Sequence, residues 1–152
     1  MTAVHRRVRA AGAAVVLIVG AVACGGGGEA DPEPSATAWT EPASYAYTLT
    51  STEQVLPGRF RVTVRDGEVA EAVGLDGDSR RVVAQLPGRT SRVPTIGQLL
   101  DRLEKARNER ADTAEAEYAA DGRPSRITLD WDENAIDDEA QYVISAYTPA
   151  AG

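Results

Sequence analysis

The run from Thr113 to Asp132, TAEAEYAADGRPSRITLDWD, turns on Asp121-Gly122 and decides the fold. Asp-Gly between two alternating segments is a strong hairpin signal, and here the register can be checked residue by residue. Pairing across the turn sets Ala116 opposite Ile127 and Ala114 opposite Leu129 on one face, with Glu117 opposite Arg126 and Glu115 opposite Thr128 on the other. Every pair is chemically compatible, as an antiparallel ladder requires. The same alternation carries Trp131 to the inner face beside Ile127 and Leu129, and Asp130 and Asp132 to the solvated face.

Outward from this hairpin the chain keeps the same grammar. Upstream, Thr95 and Gln98 form a capping-box pair, and Ile96, Leu99, Leu100, Leu103 and Ala106 follow helical spacing as one apolar stripe. Tyr45, Tyr47 and Leu49 alternate with small polar residues in SYAYTLTST, a half-buried strand. In RFRVTVRDGEVAEAVGL, Asp66-Gly67 marks a second hairpin, and a two-residue turn pairs Val64 with Val69 but sets Glu71 opposite Val62 on the apolar face. Either that loop is longer or bulged, or Glu71 stands at a sheet edge. Arg81 to Leu86 reads as a fourth short strand, and QYVISAY, Gln141 to Tyr147, as the last. The expected architecture is α+β: an antiparallel β-sheet built from hairpins, with one amphipathic α-helix packed on one face.

The N-terminus sets the address. Arg6, Arg7 and Arg9 precede an uncharged run from Ala10 to Ala23, shorter than the roughly 20 apolar residues a spanning helix needs. Residues 1–23 therefore read as a lipoprotein signal peptide. The sole cysteine, Cys24, follows Ala21-Val22-Ala23 where such a signal ends and is the expected site of diacylglycerol attachment. The membrane is thus expected as a partner through this lipid anchor, on the extracytoplasmic face, because multiple acyl chains on one residue hold a protein stably. Residues 24–38 read as the lipidated cysteine and a flexible Gly/Pro linker, and residues 39–149 as a single domain.

Composition narrows the chemistry. Residues 1–23 hold three of the 16 Arg and Lys and none of the 23 Asp and Glu, so removing them takes the formal charge from −7 to −10. That balance argues against nucleic acid. The single histidine, His5, lies in the leader, which removes Ser-His and Cys-His nucleophile pairs and ordinary zinc sites from the mature chain. No cofactor is expected beyond the lipid.

Asp130 to Glu139, DWDENAIDDE, concentrates the remaining candidates. Asp130, Asp132 and Asn134 fit the first three ligand positions of an EF-hand loop, with Asp137 nearby. However, Ala135 stands where the loop glycine belongs and Gln141 where the bidentate glutamate belongs. Three readings stay open: a solvated acidic turn, a partner surface centred on Asp138 and Glu139, and a divalent-cation site using Asp130, Asp132, Asn134 and Asp137. Elsewhere, Glu71 is a candidate catalytic carboxylate without a placeable partner acid, and the arginines from Arg80 to Arg92 are a candidate anion-binding loop. Trp39, Tyr45 and Tyr47 form either an aromatic platform or core.

YAYTL, GRFRVTVRDGEVAEAVGLD, VPTIGQLLDRLEKAR and ADTAEAEYAADGRPSRITLDWDENAIDDEAQYVISAY together resemble an actinobacterial lipoprotein family, the domain of unknown function 6174. The resemblance covers Trp39 to Tyr147 and implies no activity, cofactor or ligand. The leading expectation is a non-enzymatic lipoprotein that binds or scaffolds an envelope protein or cell-wall component. A calcium-binding module and a carboxylate-dependent hydrolase are the alternatives.

Overall fold

The computed structural model describes residues 39–85, 92–135 and 138–150. Eight elements follow in order: β1 (Tyr45–Ser51), β2 (Gly58–Arg65), β3 (Glu68–Gly74), α1 (Gly77–Ala84), α2 (Ile96–Glu109), β4 (Thr113–Tyr118), β5 (Pro124–Asp130) and β6 (Ala140–Pro149). The strands form one antiparallel sheet in the order β3-β2-β1-β6-β5-β4. Two three-stranded meanders are therefore joined through the first and last strands. The architecture is α+β, with two helices where the sequence suggested one.

All four pairs expected in the second hairpin are found, from Ala114 with Leu129 to Glu117 with Arg126. In the first hairpin Asp66 and Gly67 both take positive φ, 52° and 78°, as the tight turn requires. The Glu71 conflict is relieved by a bulge at Ala70. Val64 still meets Val69, but Thr63 meets Glu71 and Val62 meets Ala72. The extra residue turns Glu71 to the open face of an edge strand and spares the core a carboxylate.

Where a strand is expected at Arg81 to Leu86, residues 81–84 instead close helix α1, which ends at Ala84, and Leu86 lies outside the described residues. Asp76 caps it by accepting the Ser79 N–H at 2.9 Å, while the Ser79 hydroxyl accepts the Asp76 N–H at 3.1 Å. Hydrogen bonds from the Ser79 side chain and backbone hold the Asp76 carboxyl below its usual range. The valines that suggested a strand, Val82 and Val83, pack half-buried against the core. Helix α1 lies so close to β3 that a Cβ on Gly74 would stand 2.6 Å from the Arg80 backbone nitrogen.

Helix α2 starts at the expected Thr95–Gln98 capping box and stops at Arg110 in the left-handed conformation, φ 60°. Ile96, Leu99, Leu103 and Ala106 are buried against the inner face of the sheet, among Tyr47, Leu49, Phe60, Val62, Ile127 and Tyr142. Both helices cover this one face. The opposite face stays open and carries Thr50, Arg59, Glu71, Glu115 and Arg126, all exposed. Among the described residues no helix is long and apolar enough to cross a membrane.

Where the chain enters the domain it is clamped. Glu41 Oε1 accepts the Gly97 N–H at 3.0 Å, at the positive end of α2, and also the Tyr45 hydroxyl proton. The Tyr45 oxygen in turn accepts the Ile96 N–H at 2.9 Å. Pro149, at the end of β6, pairs with Tyr45, so chain entry and the last strand's end share one end of the sheet.

Candidate binding groove

At the other end of the sheet three segments leave an opening of about 330 Å³. The β1–β2 loop supplies Glu53 and Val55, α2 supplies Arg102 and Lys105, and the strand ends of β5 and β6 supply Leu129, Trp131, Asp138, Glu139 and Tyr142. Register explains the meeting: Ser51 pairs with Tyr142 and Leu129 with Ala140, so the exit of β1 and the entry of β6 lie side by side. Arg102 and Lys105 sit one helical turn apart and project along the same side of α2.

A polar triangle braces the wall of the groove. Arg102 Nη1 donates to Glu53 Oε2 at 3.0 Å and to the Tyr142 hydroxyl at 2.9 Å, and that hydroxyl donates to Glu53 Oε2 at 2.9 Å. Burial, reinforced by the Glu53 charge, pushes the Tyr142 hydroxyl up to about 12. Burial opposes the Arg102 charge, but Tyr142 and Glu53 outweigh it and hold the guanidinium protonated above its usual range. The ion pair is neutral as a unit.

The rim is apolar and exposed. Trp131 is 36 % and Val55 71 % exposed, two of the three large hydrophobic side chains left in solvent among the described residues. Lys105 Nζ stands 5.7 Å from the centre of the Trp131 ring, a cation–π contact. Trp131 thus lies on the helix side of the sheet, as alternation required, but at its open end rather than in the core.

The acidic stretch folds largely onto itself. Asp132 Oδ1 accepts the Asn134 N–H at 3.0 Å and its side-chain amide at 3.3 Å, and the Asp132 carbonyl accepts the Ala135 N–H at 2.8 Å. The Asp132 N–H donates to Asp138 Oδ2 at 2.9 Å, and the Glu133 N–H to Asp112 Oδ2 at 2.8 Å. Asp132 and Asn134 are thereby brought together as a turn. Asp130 closes β5, half-buried, in a neighbouring depression with Thr113, Thr128 and Gln141. Asp137 lies outside the described residues, as does Cys24. Among the described residues no group of three or more His, Cys, Asp and Glu is placed to hold a metal ion.

The other candidates disperse. Tyr45 and Tyr47 are buried at 2 % and 0 %, so they are core and no platform, and burial raises both hydroxyls well above their usual range. Arg80 and Arg81 belong to α1, where Arg81 pairs with Asp78. Only Asp138 and Glu139 of the expected residues line the groove. Val55, Glu53, Arg102 and Tyr142 carried no local signal, because the register that unites them is set by strand pairing far along the chain.

The molecule is defined by its architecture: a six-stranded antiparallel sheet, two helices on one face, and a part-apolar groove at the end away from chain entry. Residues 34–149 match the model of a family of unknown function, DUF6174, and the chain belongs to that family. No curated protein and no solved structure matches it.

Proposed function

We propose that the protein is a lipoprotein, anchored through diacylglycerol on Cys24 to the extracytoplasmic face of the cell membrane. Its domain is a non-enzymatic binding or scaffolding module of the envelope, and the groove is its binding surface. The observation that carries this reading is the placement of exposed Trp131 and Val55 across an opening at the far end of the sheet. A solvated tryptophan beside an apolar floor and a few fixed polar groups is the usual make-up of a recognition site.

Geometry adds support. The tether would arrive at Trp39 to Ser44, beside the start of β1, and the groove opens at its end. At about 3.3 Å per residue the strand separates the two by roughly 20 Å. The groove is therefore clear of the segment through which the chain enters the domain. A photoreactive amino acid at position 55 is expected to give a discrete crosslinked adduct in intact cells, while the same group at Val73, exposed on the opposite face, gives none. Equal labelling at both positions, or none at position 55 in any growth state, would overturn the reading.

A further inference from the structure

We infer that the groove takes a basic polypeptide segment, seating a lysine or arginine side chain against Trp131 and the acidic rim and an apolar side chain toward Val55; this rests on the groove being the binding surface. Beside the apolar Trp131 and Val55, acidic groups outnumber basic ones in and next to the opening. Asp138 and Glu139 line the opening, Asp132 is bonded to Asp138, and Glu133 is bonded to Asp112. Against these five carboxylates stand two cations. Arg102 is already neutralised by Glu53 at 3.0 Å, which leaves Lys105.

Lys105 shows what the site accepts. Its ammonium already lies over the Trp131 ring, 5.7 Å from the centre, while its ion-pair partner among the described residues, Glu109, is 3.9 Å away. The indole face therefore holds an ammonium supplied by the chain itself, and a ligand cation competes for the same surface. Asp138 gives a second sign. Its Oδ2 accepts a backbone N–H, but its Oδ1 is buried with no hydrogen-bond donor among the described residues. A buried acceptor without a donor is costly, and a rotation of the carboxylate toward the opening would let an incoming N–H satisfy it. The acidic balance of the mature chain favours the encounter with a cation and disfavours nucleic acid and anionic lipid.

The test uses the full lipoprotein in detergent micelles and three fluorescent peptides of equal length and equal apolar content. Their polar positions are lysine and arginine, glutamine, or glutamate. The basic peptide is expected to bind with an affinity that falls as salt rises, and the other two are not. Trp131→Ala and the pair Asp138→Asn, Glu139→Gln should each weaken binding about tenfold, the scale of one well-placed interface contact. Lys105→Ala should strengthen it by removing the competing ammonium. Val73→Ala, on the opposite face, should change nothing, and an unchanged melting temperature would show that each variant is folded. Binding of the basic peptide that survives the Trp131 and Asp138/Glu139 changes would be diffuse charge attraction and would overturn the inference. Equal binding of all three peptides, abolished by Trp131→Ala, would overturn the basic class while leaving the groove as the site. Failure of every peptide alongside a position-55 adduct in cells would also defeat the inference alone.

Discussion

Tyr142 joins core, groove wall and charge in a single side chain. Its ring is buried, yet its hydroxyl reaches Arg102 and Glu53 at 2.9 Å each. Glu53 and Arg102 are also bonded directly, so losing the hydroxyl leaves the ion pair standing and removes two hydrogen bonds. Tyr142→Phe should therefore cost about 1–3 kcal/mol, two hydrogen bonds at about 0.5–1.5 kcal/mol each. Its pH dependence has a definite sign. The folded hydroxyl titrates at about 12 against 10.0 unperturbed. Between these values the unfolded chain has lost the proton that the folded chain keeps, so stability falls as pH rises through the window and is fully present below it. Thermal melts from pH 9 upward should show a shallower loss in Tyr142→Phe than in the parent, the remaining slope belonging to Tyr45, Tyr47 and Tyr147, which are raised in the same direction. A slope unchanged by the substitution would mean that Tyr142 ionises as freely in the folded state as in the unfolded one.

At the scale of elements, two glycines near the start of α1 should respond oppositely to the same change. A Cβ on Gly74 would meet the Arg80 backbone nitrogen at 2.6 Å and Ser79 backbone carbon at 2.7 Å, neither of which can swing aside. Gly74→Ala should cost about 1–3 kcal/mol by prying α1 from β3. Gly77, inside the first turn, would place its Cβ 3.8 Å from a flexible Arg81 side chain. Gly77→Ala should be neutral or stabilise by about 0.4–1 kcal/mol through the unfolded chain. Paired denaturant titrations check both, and equal effects would show that α1 docks more loosely than its contacts imply. The same helix marks the limit of local reading. Arg81-Val82-Val83 looks like strand because β-branched residues prefer it, and the Asp76–Ser79 cap that overrides this preference lacks the Glu or Gln of the common signature. The second hairpin was legible because its turn and all four pairs are local. The first was legible except for its bulge, whose need was visible in Glu71 and whose position was not.

Over the whole molecule, the decisive contact is the pairing of β1 with β6, which brings Leu49 to Ile144 and Ser51 to Tyr142 across most of the domain's length. No turn chemistry specifies a pairing of that range, so the strand order was not readable from the sequence. Neither was the groove, whose walls come from a loop, a helix and two strand ends that only this pairing unites. Asp138 and Glu139 were legible as a surface, and Trp131 as an inner-face residue, but its exposure follows from where β5 stops. The proposed anchor is the reverse case, an expectation read locally from residues 1–24 and independent of the fold. Cys24→Ser leaves every core residue of the domain untouched. It should move the protein from the membrane fraction to soluble fractions, abolish incorporation of labelled fatty acid, and leave the melting temperature of the domain unchanged. It should also end the position-55 adduct if the groove's partner is confined to the membrane surface, and preserve it if the partner diffuses freely. Retention of the Cys24→Ser chain on membranes without the acyl label would locate the anchor elsewhere in the leader and sink the lipoprotein reading, while leaving the groove and its test intact.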